Sequence, residues 1–122
     1  MKPLLLIGAG GAIGSICRYL MTICVSKHMT IAFPMGTFLV NISGCFVIGL
    51  LFGLATRYAW LDADWRLFLI TGICGGYTTF SSFSYESIQL IRQGDYAYFF
   101  TYVLGSVILG LLATVGGLAL VK

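Results

Sequence analysis

The sequence predicts an all-α integral membrane protein of four transmembrane helices. Three observations carry that prediction. Only 9% of the residues are charged against 59% hydrophobic, the mean hydropathy is +0.99, and the apolar residues gather into four stretches, each long enough to span a hydrocarbon core. A soluble domain carries about 25% charged residues, and no aqueous fold of 122 residues hides this much apolar surface. Lipid must be the solvent for most of the chain, which reads as a single transmembrane domain, 1–122, with no extramembrane part.

The first span covers about Leu4–Val25. Lys2 followed by apolar residues begins as a signal peptide does, but the stretch outruns the about 7–15 residues of an h-region and reads as a retained span. Within it, Gly8-Ala9-Gly10-Gly11-Ala12-Ile13-Gly14 approximates a dinucleotide-binding loop. Ile13 stands where the third glycine belongs and no sheet-forming unit follows, so helix packing is the better reading. The second span, about Pro34–Thr56, opens on a proline that fits a first helical turn. Asp62 and Asp64 can cap or charge the start of the third, about Trp65–Ile91. Gln93-Gly94-Asp95 reads as the turn into the fourth, about Tyr96–Val121. Tyr19, Tyr58, Trp60, Trp65, Tyr85, Tyr96 and Tyr98 collect near span ends, as an interfacial aromatic belt does.

Sixteen glycines stand out. In lipid, helices associate by close packing, and the four-residue pairs Gly10/Gly14, Gly49/Gly53, Gly72/Gly76 and Ser106/Gly110 suit tight contacts within or between subunits. Cys17, Cys24, Cys45 and Cys74 lie inside apolar segments with no C-x-x-C spacing, and read as small buried residues rather than metal ligands. The seven cations, Lys2, Arg18, Lys27, Arg57, Arg66, Arg92 and Lys122, are scattered with no two adjacent, which excludes a nucleic-acid surface. Lys2, Arg57, Arg66 and Lys122 fall on one side of the membrane; Lys27, Arg92 and, if it reaches that surface, Arg18 fall on the other. A bias of one or two charges barely specifies topology, so insertion in both orientations is expected.

The chemistry concentrates in the third span, in Gly72-Ile73-Cys74-Gly75-Gly76-Tyr77-Thr78-Thr79-Phe80-Ser81-Ser82-Phe83-Ser84. Paired glycines followed by Tyr-Thr-Thr are poor helix formers. A break near 75–79 would free backbone groups at membrane depth, which is tolerated only in protein or beside a wet cavity, and such breaks commonly bind ions. A continuous helix with small residues facing a neighbour is the other reading. Phe80 and Phe83 share a helix face, and phenyl edges are electropositive. Thr37 and Asn41 are neighbours on the second span. Tyr102, Ser106, Gly110 and Thr114 form a polar stripe on the fourth, able to join helices or line a path. Glu86 lies past the aromatic pair, nearer a membrane surface.

Gly10-Gly11-Ala12-Ile13-Gly14 with Arg18-Tyr19, Gly36-Thr37 with Val40-Asn41 and Gly44, and Gly75-Gly76-Tyr77-Thr78-Thr79-Phe80-Ser81-Ser82-Phe83 together resemble the Fluc (CrcB) fluoride channels of bacteria, in order and over essentially the whole chain. The resemblance implies a passive fluoride-selective channel that exports cytoplasmic fluoride. It also implies an antiparallel dual-topology homodimer in the bacterial inner membrane, with two fluoride pathways along the subunit interface. Carried over, Phe80 and Phe83 are the paired phenylalanines and Asn41 the pore-facing asparagine. Tyr102 and Ser106 begin the polar track, and Arg18 stands near the vestibule. A structural Na+ at the dimer centre would be held by the backbone carbonyls of Gly75 and Thr78. Gly110 departs from a hydroxyl-bearing pattern and supplies no donor.

The residues themselves suit such an ion. Fluoride is small and tightly hydrated, so donors must replace its water, and the Asn41 amide with the hydroxyls of Thr37, Thr79, Ser81, Tyr102, Ser106 and Thr114 can do so. The alternative is a four-helix, dual-topology multidrug-type exporter, which needs a membrane-embedded carboxylate that the first span lacks. An assembly subunit without transport explains the glycines but not the central run. No catalytic constellation supports an enzyme.

Overall fold

The computed structural model describes residues 1–121; Lys122, counted above among the cations of one side, lies outside the described residues. The regular elements among them are all helical. Helix α1 covers Lys2–His28 and α2 covers Met35–Arg57. The third segment comes in pieces: α3 (Ala63–Arg66), a π-helical stretch π1 (Leu67–Cys74) and α4 (Gly75–Tyr77) run end to end, then α5 (Phe80–Arg92) follows. Helix α6 is Tyr96–Leu120. By length and composition, α1, α2 and α6 can each cross a membrane. The third segment does not count as such a helix because it is two half-helices, separated by the extended residues Thr78 and Thr79.

Local chemistry accounts for the ends. The Asp62 carboxylate accepts a hydrogen bond from the Trp65 amide at 3.3 Å and caps α3. Gly94 turns the chain between α5 and α6 with φ +73°, a conformation that favours glycine, while the Asp95 amide reaches back to the Leu90 carbonyl. Pro34 stands one residue ahead of α2, at its N-cap, rather than inside the first turn; its ring still fixes φ, at −76°, where the helix begins. The π-helical turns were not foreseen from the sequence. They lie where Gly72 meets α1, and wide turns of this kind recur near functional sites.

Two close helix contacts organise the chain, and glycine makes both. On one side, α1 lies against π1 and α4: a Cβ on Gly10 would strike the Phe68 carbonyl, and one on Gly14 the Ile73 carbonyl. On the other, α2 lies against α6, where side chains on Gly49 and Gly117 would strike the carbonyls of Thr114 and Phe46. These glycine pairs therefore serve packing within the chain. Arg66 joins α3 to the preceding loop and to α2, donating to the Leu61 carbonyl at 3.3 Å and the Ala55 carbonyl at 3.2 Å. A small aromatic core of Phe33, Leu90 and Tyr102 locks α5 onto α2 and α6, with Phe38, Phe83 and Tyr98 packed against it. Leucines and isoleucines of α1 and α6, among them Leu4, Leu5, Ile16, Leu111 and Leu112, stay uncovered, as a lipid-facing surface requires.

Candidate functional site

The site is built on the interruption. In an unbroken helix the Thr79 amide would bond to the Gly75 carbonyl. Here it donates to Asn41 Oδ1 at 2.8 Å, and Asn41 Nδ2 donates to the Thr79 carbonyl at 3.0 Å. One side chain of α2 thus takes over both backbone groups of the extended residue. Arg18 satisfies another orphan: its Nε donates at 3.2 Å to the Gly76 carbonyl, which lacks the amide a continuous helix would offer. Thr79 then caps the next half-helix, its Oγ1 accepting from the Ser82 amide at 3.2 Å. Thr78 folds back with Oγ1 donating to the Cys74 carbonyl at 3.0 Å. The Gly44 position, lacking a side chain, admits Thr78 and the Tyr77 ring, which sets the interruption level with the middle of α2.

No hydrogen bond from the described residues reaches the carbonyl oxygens of Gly75 or Thr78, and Gly75 is exposed. Free carbonyls are the donors a hard cation takes, so the pair fits a sodium ion in chemistry. Two oxygens from one chain are too few, and a second copy would have to supply the rest. No cluster of His, Cys, Asp or Glu among the described residues offers a competing metal site.

Three hollows surround the interruption. The first, of about 340 Å³, is lined by Asn41, Thr78, Thr79, Phe80, Phe83 and Ser106, with Gly44, Cys45, Ile48 and Val107 completing it. The Ser106 hydroxyl is buried there without a hydrogen-bond partner. Phe80 and Phe83 meet with ring centroids 5.7 Å apart, as their spacing predicts. The second hollow, also about 340 Å³, lies beyond Thr79 and contains Arg18, Thr37, Ser82 and Glu86. The third runs along the outer face of α5 from Phe80 past Ser81 and Ser84 to Arg92. Thr79 borders the first two and Phe80 borders the first and third.

Two of the expected pathway residues, Tyr102 and Thr114, line none of these three hollows. Tyr102 is fully buried. Its one proton is committed to Glu86 Oε1 at 3.0 Å, and its ring packs 5.4 Å from Phe33 and 5.0 Å from Phe83. Thr114 faces α2, its hydroxyl within reach of the carbonyls of Cys45 and Gly110 at 3.3 and 3.1 Å, so it joins helices. Both sit on the fourth-span stripe, of which Ser106 alone among the three hydroxyl-bearing residues lines the first hollow. Gly110, on the same stripe, is buried with Cys45 Sγ 3.5 Å from where a Cβ would stand. Asn41 keeps a single amide hydrogen to offer an ion, since Thr79 takes the other.

Sequence reasoning undervalued Glu86. It is gripped from two helices, accepting from Thr37 Oγ1 at 3.1 Å and from Tyr102 Oη at 3.0 Å. The available signal was its isolation as the one carboxylate inside a span, where charged groups are functional by default. Its position three residues after Phe83 also puts both on one face of α5.

An interrupted helix, bordered by hollows that carry a few polar side chains and packed among long apolar helices, defines a multi-pass membrane protein. The chain belongs to the CrcB family: the family description "CrcB-like protein, Camphor Resistance (CrcB)" matches residues 5–118. Proteins named fluoride-specific ion channel FluC are similar along their whole length. The one from Phocaeicola vulgatus is 52% identical over 118 residues, 97% of each chain. Those from Flavobacterium psychrophilum and Rhizobium meliloti are 46% and 43% identical over 122 residues, all of this chain and 98% of theirs.

Proposed function

We propose that this protein is a passive, fluoride-selective channel of the bacterial inner membrane that lets cytoplasmic fluoride out. The observation that carries the reading is Ser106, which lines a hollow together with Asn41, Phe80, Phe83 and the interruption itself and whose hydroxyl is buried without a hydrogen-bond partner. An unpaired buried hydroxyl is costly unless something visits it. Its neighbours are amide hydrogens and electropositive phenyl edges, which suit a small anion. The naming of the similar proteins as fluoride-specific channels agrees with that chemistry. Hydrogen fluoride enters a cell as a neutral acid and ionises, and the membrane potential then drives the anion out through a passive path. Arg18 and Glu86 mark the mouth on the far side of Thr79; no fixed charge lines the first hollow, between Asn41, Phe83 and Ser106, so the ion can leave again.

The working unit in this reading is an antiparallel homodimer. The outer face of α5 supports it: Phe80 is 79% exposed in one chain, beside the uncovered hydroxyls of Ser81 and Ser84. Hydroxyls and a half-built hollow do not suit lipid, and a second copy would complete both. The near-even charge balance supports opposite orientations. Two Gly75 and Thr78 carbonyl pairs would then meet to hold the structural Na+.

Efflux from proteoliposomes tests the function. Fluoride leaves and chloride does not, and the flux is lost in F80I and F83I. Equal chloride flux, or proton-coupled cation exchange as in a multidrug-type exporter, would overturn it. For the dimer, a C-terminal tag is labelled from both membrane faces; labelling from one face alone contradicts dual topology. For the cation, replacing sodium with a bulky organic cation weakens flux or dimer, and no change in either removes Gly75 and Thr78 from the assignment.

A further inference from the structure

Away from the interruption, at the junction of α1 with α3, Lys2 and Asp64 form an ion pair with Nζ 2.9 Å from Oδ2. Both charges face outward, with side chains 73% and 48% exposed. Below them opens a separate hollow of about 350 Å³ whose remaining walls are Leu6, Trp65 and Phe68. Trp60 stands edge-on to Trp65 at 6.2 Å, and Trp65 edge-on to Phe68 at 6.4 Å. The hollow is thus charged at its rim, apolar in its depth and framed by indoles, at the end of a helix long enough to span the bilayer. That is the profile of the headgroup–acyl boundary.

The ion pair leaves capacity on both partners. A lysine ammonium has three hydrogens, of which Asp64 engages one, and Asp64 Oδ1 remains free. A phosphoethanolamine headgroup carries the same two charges in reverse order. Its phosphate can pair with Lys2 while its primary ammonium donates to Asp64, and one acyl chain can lie on Leu6 and Phe68. Four alternating charges with donors on both cations satisfy every group at the rim. Choline lacks the N–H donors that Asp64 would accept. A glycerol headgroup lacks the cation altogether. We propose that Lys2, Asp64 and the hollow beneath them bind a phospholipid with a zwitterionic phosphoethanolamine headgroup. The site shares no residue with the fluoride pathway and does not rest on it.

Native mass spectrometry of the full-length protein in mild detergent tests this, with phosphatidylethanolamine, phosphatidylcholine and phosphatidylglycerol of matched acyl chains offered in turn. The wild type retains phosphatidylethanolamine about fivefold over the other two, the effect of about one hydrogen bond to a charged group. D64N lowers that retention to the phosphatidylcholine level while leaving phosphatidylglycerol no weaker. K2Q weakens all three lipids, since each carries a phosphate, and L6W, which fills the hollow, lowers all three as well. Gel filtration confirms that each variant is folded; should D64N fail, the K2Q and L6W arms still decide. Equal retention of the three lipids by the wild type means an unselective lipid annulus and overturns the proposal. So does a preference for choline, which would assign the Trp60–Trp65 pair to cation–π binding instead.

Discussion

Asn41 and Thr79 are joined by two hydrogen bonds: the Thr79 amide gives to Asn41 Oδ1 at 2.8 Å, and Asn41 Nδ2 gives to the Thr79 carbonyl at 3.0 Å. A side chain on α2 thereby replaces the helical partners that the third segment gives up between Tyr77 and Phe80. The pairing makes the interruption a defined conformation rather than a frayed helix.

Removing that clamp strands both backbone groups of Thr79. N41A is expected to cost about 2–4 kcal/mol, two partly buried backbone groups losing their partners, and to abolish fluoride flux with it. Thermal unfolding in detergent and liposome efflux measure the two effects, and a variant of unchanged stability would show that water replaces the clamp at no cost.

Ser106 makes the opposite case. Its hydroxyl has no partner to lose, so S106A is expected to change stability by less than about 0.5 kcal/mol or to raise it. Fluoride efflux should nonetheless fall. A large loss of stability with normal efflux would make Ser106 a packing residue and leave the hollow without its best donor.

The two phenylalanines should separate by stability though not by flux. Phe83 packs 5.0 Å from the Tyr102 ring within the aromatic core, whereas Phe80 is 79% exposed in one chain. F83I is expected to destabilise the protomer by about 1–2 kcal/mol, and F80I hardly at all. Thermal unfolding of the two variants in detergent reads this difference.

Y102F removes one of the two hydroxyls that hold Glu86. The freed carboxylate oxygen is left half-buried without its donor, at an expected cost of about 1–3 kcal/mol. Fluoride flux should slow while selectivity over chloride persists, because buried Tyr102 acts through its hold on Glu86. Lost selectivity in the efflux assay would return Tyr102 to the pathway lining.

Glycine substitutions should divide by what a Cβ would meet. G14A drives a methyl into the Ile73 carbonyl, where only backbone movement can relieve it, and a loss of about 2 kcal/mol or more is expected. G110A brings its methyl to 3.5 Å from Cys45 Sγ, an ordinary contact, and should be tolerated. Expression level and thermal stability of the two variants suffice to check this.

The sequence by itself determined the apolar helices, the turn at Gly94, the cap at Asp62 and the glycine seams, because each follows from local composition and spacing. It also marked the third segment for interruption, since Gly-Gly-Tyr-Thr-Thr resists helix regardless of what surrounds it. Which stripe residues face a hollow was decided by tertiary packing alone. Tyr102, Ser106 and Thr114 share one helix face, yet Thr114 bonds to a carbonyl of α2, the aromatic core encloses Tyr102, and of the three only Ser106 lines the hollow beside Phe80 and Phe83. Helical periodicity fixes a side chain's direction around its own axis, but not what the neighbouring helix places in front of it. Glu86 shows the same limit from the other side: its two partners lie 49 and 16 residues away in the chain, and no local pattern joins them.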